Sequence, residues 1–455
     1  MRTLLQFIII SISLLVLGCN TKIYLSDTDK SYERIESIQK SSLKELSGVM
    51  SIEPLTEFQN KKEIKSILND VNKTVCEKYG GDLCDNRETD KLFNQVLKGK
   101  FSTRYEFPLT YWYTGLLLND VHNSARSIGL SKSNFKELKF GSIMSSRTIA
   151  EVQDYENEYL ILAHTRFFLF CYHMLKISHM PLQVTDAPNN QVATQAGEQF
   201  ILDEIEKNKE IRTEYTYSIL SFLYNLEPYN VHVPGFEKSL ISITEAMELF
   251  VLAHEYAHMS RKHSIDMEDE LSVFDEDDAL IIRNIFSWRN EIEADSIGNV
   301  VLQDVLNQGI FGEKNGLELL QRHGAVLYFT SLDNLEKAEQ IIEIGKPQPL
   351  IKHDEIILIK ELINDKSLSN REILEKAKKV NPYWTGKQHP PTSIRLSILD
   401  KSLSKEIKSM ELSEDEFSLI QIAKSLVFST NEIYKQSEFA FYIWNENKHL
   451  INQNK

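Results

Sequence analysis

The segment ELFVLAHEYAHMSRKH, residues 248–263, limits what this chain can fold into more than any other stretch. His254 and His258 are four residues apart, and in an α-helix that spacing turns the chain by about 400°, so both imidazoles share one face and can grip one metal ion. The neighbours Leu249, Phe250, Val251, Leu252 and Ala253 are apolar, which predicts a buried helix. Unpaired histidines would be costly there. Glu255, next to the first histidine, points toward the open coordination position of such a site. It can take a proton from the attacking water and later deliver one to the leaving amine. An H-E-x-x-H helix of this kind reads as the zinc site of a metallopeptidase. His263 lies nine residues from His254, about 900° round the helix, and so faces away from the pair. A metzincin would need Gly at 261 and His at 264, where this chain has Arg261 and Ser264; that class is excluded.

The third ligand must come from elsewhere. SWRNEIEADSIG, residues 287–298, reads as a helix, and its Glu291 lies 33 residues after His258. Glu291 and Asp295 are four apart on one face, so Glu291 can ligate while Asp295 braces a ligand histidine from behind. Glu293 lies about 200° away from Glu291 and is the competing choice. The apolar neighbours Ile292, Ala294, Ile297 and Val300 favour a buried setting for this helix. A third element is QHPPTSIRLSIL, residues 388–399. Pro390 and Pro391 stiffen the loop and stop any preceding helix, holding His389 at a helix entrance. Thr392 is placed to cap the new helix, and Arg395 falls on its first turn.

Taken together, HEYAH followed by Lys262-His263, then E-x-x-x-D at Glu291 and Asp295, then HPP with Arg395, resembles the gluzincin family of HtpX and the CAAX prenyl proteases, over roughly residues 230–400. The resemblance implies a zincin-like fold binding one Zn2+ per chain through His254, His258 and Glu291, with Glu255 as general base. It also implies that His389 steadies the oxyanion or occludes the metal, and that Arg395 braces the site. The Gly-rich segment that usually precedes the motif in that family is matched only faintly, by VHVPGF. The membrane spans of HtpX and the prenyl proteases are missing from the pattern, which points to a soluble, lipid-anchored branch.

The first residues, MRTLLQFIIISISLLVLGCNTK, are read as a processing signal, with Arg2 as a short basic region, an apolar run from Leu4 to Leu17, and a small-residue cleavage site ending on Cys19. This resembles a bacterial lipoprotein signal, in which Cys19 is lipidated and ties the protein to a membrane of the cell envelope. Cys76 and Cys84 flank a Gly80-Gly81 pair that permits a tight reversal, a spacing that suits a local disulfide in an oxidising compartment. Cys171 reads as a buried apolar thiol.

Hydrophobic content of 42% and charged content of 26% are those of a globular chain. A net charge of -15 argues against a nucleic-acid partner, which would need a basic face. The expected class is therefore mainly α with a small β element, the one anticipated strand lying near Val231 and Val233. Residues 158–178, EYLILAHTRFFLFCYHMLKIS, read as a buried helix, because His164, Arg166 and His173 interrupt the apolar run and disfavour a membrane span. Helical spacing dominates 241–330, 354–380 and 392–450, and the acidic run 267–278 reads as a solvated loop.

The expected organisation is a signal peptide over 1–18, a lipidated tether over 19–60, and a helical N-terminal region over 61–225. A zinc metallopeptidase domain over 226–405 and C-terminal helices over 406–455 follow. Its partners would be a polypeptide substrate and the membrane holding the lipid. The rival class is a non-catalytic, zinc-stabilised, chaperone-like lipoprotein. A second enzyme alternative, a regulatory peptidase of the ImmA kind, is disfavoured by the HPP–Arg395 element and the signal.

Overall fold

The computed structural model of the chain describes residues 30–47, 108–130, 138–143, 149–155, 158–183, 195–224, 237–261, 268–308 and 317–452. The lipidation site Cys19, the Cys76–Cys84 pair, His263 and the strand expected near Val231 lie outside these residues. The fold is mainly helical with one three-stranded sheet. Among the described residues no helix is long and apolar enough to cross a membrane. The chain forms two compact units: Met1–Tyr172 with Glu248–Tyr256 and Val301–Glu318, and His173–Met247 with Ala257–Val300 and Leu319–Lys455.

In the first unit α1 (Lys30–Ser47) and α2 (Pro108–Ser127) precede β1 (Lys139–Ile143), β2 (Ala150–Tyr155) and β3 (Glu158–His164). The strand order is β1-β3-β2, with β3 parallel to β1 and antiparallel to β2. Residues 158–164 are thus a strand where the sequence predicted helix, and the helix α3 (Thr165–Gln183) begins only at Thr165. The reason is position: Leu160, Ile161, Leu162 and Ala163 are wholly buried in the central strand. A strand covered on both faces reads as a continuous apolar run, which periodicity cannot tell from a buried helix. Ile35 of α1 packs with Ile143, Leu160 and Leu162, and the Gln39 side chain donates to the Ser142 carbonyl at 2.7 Å.

In the second unit α4 (Gln195–Lys207) and α5 (Lys209–Tyr224) lead to α6 (Glu237–Arg261), whose residues 248–256 belong to the first unit. Ile243, Met247, Leu249, Phe250, Leu252, Ala253 and Tyr256 are all buried. A helix apolar all round has to be internal. The short α7 (Glu268–Leu271) and the long α8 (Glu276–Asn307) follow. Part of the acidic run expected to be a loop therefore opens α8. Asp275 accepts from the Asp278 backbone N–H at 2.8 Å, and Glu276, Asp277 and Asp278 occupy the first turn, where the helix dipole favours negative charge.

The remaining elements are α9 (Leu317–Gln321), α10 (Gly324–Ile344), α11 (His353–Asn364), α12 (Asn370–Ala377), α13 (Pro382–Thr385), α14 (Thr392–Lys408) and α15 (Glu414–Asn452). Ile282, Ile285, Trp288 and Ile292 of α8 share one core with Ile359, Leu362, Ile373, Trp384 and Ile394. Helix α10 crosses α6 at Gly324, where an added Cβ would meet the Ala246 carbonyl carbon at 2.8 Å and its Cβ at 2.9 Å. Neither neighbour can swing aside. Gly324→Ala is expected to cost about 1–3 kcal/mol of stability, as overpacked cores do, read as a lowered urea midpoint.

Buried carboxyl and imidazole groups set opposing pH dependences. Burial pushes Asp120 of α2 up to about 7, against a hydrogen bond from the Asn119 side chain. The folded state then holds this proton more tightly than the unfolded chain, so its contribution is full below about pH 4 and is lost as pH rises toward about 7. His179 and His323 are both pushed down to about 4 by burial, so their contribution is lost in the other direction, as pH falls from about 6.5 to about 4. Removing the first effect should expose the second. In melting curves recorded across this range, Asp120→Asn is expected to gain stability with rising pH more steeply than the native protein.

Candidate metal centre

Two runs of contacts fix residues 248–256 of α6, which carry His254 and Glu255, within the first unit. From α2, the Tyr113 hydroxyl donates to Glu248 Oε2 at 2.8 Å, and His122 Nδ1 lies 2.9 Å from the Tyr256 hydroxyl. From the sheet, the backbone N–H of Val152 on the edge strand β2 donates to Glu255 Oε2 at 2.8 Å. The other carboxylate oxygen, Oε1, lies 3.8 Å from His254 Nε2. One oxygen of Glu255 is thus oriented by the backbone, and its partner is on the side of the first histidine.

His254, His258 and Glu291 each offer a ligand atom, and the three atoms lie within 4.8 Å of one another. His258 Nε2 and Glu291 Oε1 are 3.2 Å apart. Glu291 Oε2 is engaged separately, by Arg395 Nη1 at 3.1 Å and His389 Nδ1 at 3.3 Å. The carboxylate is therefore held by one oxygen while the other faces the histidines. Two imidazoles and one carboxylate oxygen, mostly buried, are a donor set that can hold a metal ion. Glu293 is turned to Arg261 at 3.4 Å and Lys366 at 3.1 Å.

Arg395 anchors the back of the site. Its Nε and Nη2 form a two-pronged pair with Asp295 at 2.8 and 2.6 Å, and its guanidinium lies 4.4 Å from the centroid of the Phe329 ring. Burial alone would lower the guanidinium pKa, but Asp295 and Glu291 together outweigh it and hold the group above its ordinary value. Asp295 accepts from the same Arg395 that holds Glu291, so it steadies Glu291 through a shared guanidinium. His389 is on the rim, with 63% of its side chain exposed. Thr392 does not cap α14, contrary to the sequence expectation. Pro391 occupies the cap position, and the Thr392 hydroxyl donates instead to the Glu336 carboxylate at 2.9 Å.

One stripe of α8 carries the arrangement. Asn284 donates to the Thr385 carbonyl at 2.8 Å and Trp288 Nε1 to the Lys387 carbonyl at 2.9 Å. Glu291 meets His389 and Arg395, and Asp295 meets Arg395 again. Positions 284, 288, 291 and 295 are spaced four, three and four, which is one helix face. They contact the segment 385–395 in order along its length. Asn284, Trp288, His122 and Val152 carry no recognisable motif, and sequence reasoning passed over all four. Only the heptad-like spacing of Asn284 and Trp288 before Glu291 was available as a signal.

Comparison of the chain with protein-family models, curated proteins and solved structures finds no match.

Proposed function

We propose that the chain is a zinc-dependent endopeptidase that hydrolyses peptide bonds of polypeptides, belonging with HtpX and the CAAX prenyl proteases and held at the cell envelope by a lipid on Cys19. The observation that carries this reading is the grouping of His254, His258 and Glu291 with Glu255 beside the first histidine. Zinc suits two imidazoles and a carboxylate; held by His254, His258 and Glu291, it would supply Lewis-acid polarisation of a peptide carbonyl. Glu255 takes the proton from the attacking water and returns one to the leaving amine. The Val152 N–H fixes the rotation of that carboxylate, so no reorientation is needed as the proton moves. Arg395 and Asp295 hold Glu291 in place while the chemistry proceeds.

The test is digestion of casein by the purified full chain, together with its metal content. Close to one zinc per chain and cleavage abolished by a chelator are expected. Glu291→Gln should weaken zinc binding by more than the roughly 10–100-fold that loss of a mere supporting residue costs. Zinc bound as tightly in this variant would move the third ligand elsewhere. Bound zinc without chelator-sensitive cleavage would leave the chain a non-catalytic zinc protein.

A further inference from the structure

Just before and within its motif, α6 is apolar in every direction about its axis, because Leu249, Phe250, Val251, Leu252 and Ala253 are consecutive and all buried. Hydrophobic burial is non-directional, so it keeps such a helix inside without choosing its rotation. A metal centre depends on that rotation. An imidazole about 6 Å from the axis moves by about 1 Å when the helix turns by roughly 10°. Glu291, on α8, does not turn with it. Hydrogen bonds are directional, and the choice falls to them.

Taking His254 as zero, His258 lies about 40° round the helix, Glu255 about 100° and Tyr256 about 200°. Tyr256 therefore projects opposite the face that carries the two ligand histidines. It is 1% exposed, and a tyrosine hydroxyl buried that deeply needs a partner. His122 of α2, also 1% exposed, supplies it, with Nδ1 at 2.9 Å from the hydroxyl. The two rings meet edge to face, 5.9 Å between centroids and 71° between planes. On the flank, the Val152 N–H holds Glu255 at 2.8 Å. The turn 254–256 is thus pinned from two directions about 100° apart, one of them behind the ligands.

We infer that His122 is a positioning residue of the metal centre. Through Tyr256 it sets the rotation of α6 that presents His254 and His258 to one ion and keeps Glu255 beside the Val152 N–H. His122 itself takes no part in ligation or proton transfer. The inference rests on the metal centre, and only its kinetic consequence rests on the peptidase reading.

The experiment reads the metal before it reads cleavage. The full chain is titrated with Zn2+ for affinity and loaded with Co2+ for the visible absorption bands that report coordination geometry. His122→Phe keeps a ring against Tyr256 and loses the hydrogen bond, and Tyr256→Phe loses the same bond by removing one hydroxyl. His122→Asn retains an amide near the position of Nδ1. Both phenylalanine variants are expected to bind zinc about 10–100-fold more weakly, the cost of losing a partner that orients a ligand, and to shift the cobalt bands. His122→Asn should recover most of both. In the Tyr256→Phe background, His122→Phe should add little further, because the two changes remove one interaction. On a fluorogenic peptide, kcat should fall with KM little changed. Native zinc affinity and native cobalt bands in both phenylalanine variants overturn the inference, even where their urea midpoints drop, because the pair then serves stability alone. An asparagine variant no better than phenylalanine overturns it as well. A native chain that binds zinc without cleaving the peptide removes the peptidase and leaves the positioning role to the metal readouts, whereas one that binds no zinc removes both.

Discussion

Glu255→Gln should cleave casein about 10²–10⁴-fold more slowly than the native protein while keeping its zinc, the range expected when a positioned proton-transfer group is lost. The change is nearly isosteric. The glutamine side-chain oxygen can still accept from the Val152 N–H now 2.8 Å from Oε2, so rotamer and packing are preserved. What disappears is the capacity to hold a proton between water and amine. His254, His258 and Glu291 are untouched, so metal content measured on the same sample should equal that of the native protein. Undiminished cleavage by a cleanly purified variant would sink the proposed mechanism.

Arg395→Met is expected to have the largest effect on stability. Asp295 is 1% exposed and Glu291 is also buried, and both meet the Arg395 guanidinium. Methionine fills much of the volume and keeps contact with Phe329, but it strands two buried carboxylates without a countercharge. Removing one partner of a buried pair costs about 3–5 kcal/mol, most of it for the charge left behind. Chemical unfolding should show a loss of that size. Zinc affinity should fall about 10–100-fold with it, as for other partners that orient a ligand. Arg395→Lys should recover only part, because an ammonium cannot reproduce the two-pronged contact with Asp295. Combining Arg395→Met with Asp295→Leu should be less damaging than the two single effects added, since the stranded charge at 295 is then gone.

The parts of the site that depend on one helix were legible in the sequence. The four-residue spacing of His254 and His258 is a local property, and helix phase alone favoured Glu291 over Glu293. The structure puts Glu291 with the histidines and turns Glu293 to Arg261 and Lys366. Contacts across the chain were not legible. Val152 reaches Glu255 through its backbone N–H, which every non-proline residue possesses, so no side-chain pattern could announce it. Asn284 and Trp288 bind carbonyls about a hundred positions away, and beyond their spacing before Glu291 nothing local to α8 distinguishes them from ordinary core residues. The sheet was hidden for a different reason. Its central strand is apolar on both faces and runs directly into α3, so strand and helix merge into one hydrophobic stretch. The Thr392 cap failed because a partly buried carboxylate on another helix outbid the backbone for its hydroxyl.

The stripe 284–288–291–295 also sets how this protein tolerates changes in length. A single residue inserted between Trp288 and Glu291 would rotate everything after it by about 100° and advance it by about 1.5 Å. Asn284 and Trp288 would still grip the carbonyls of Thr385 and Lys387, while Glu291 and Asp295 would swing off Arg395. Seven inserted residues would nearly restore the angle but displace the carboxylates by about 10 Å. This stretch of α8 therefore admits neither insertions nor deletions of any size, even at positions whose side chains can be exchanged freely. Between 284 and 295 the spacing of the residues is fixed more tightly than most of their identities.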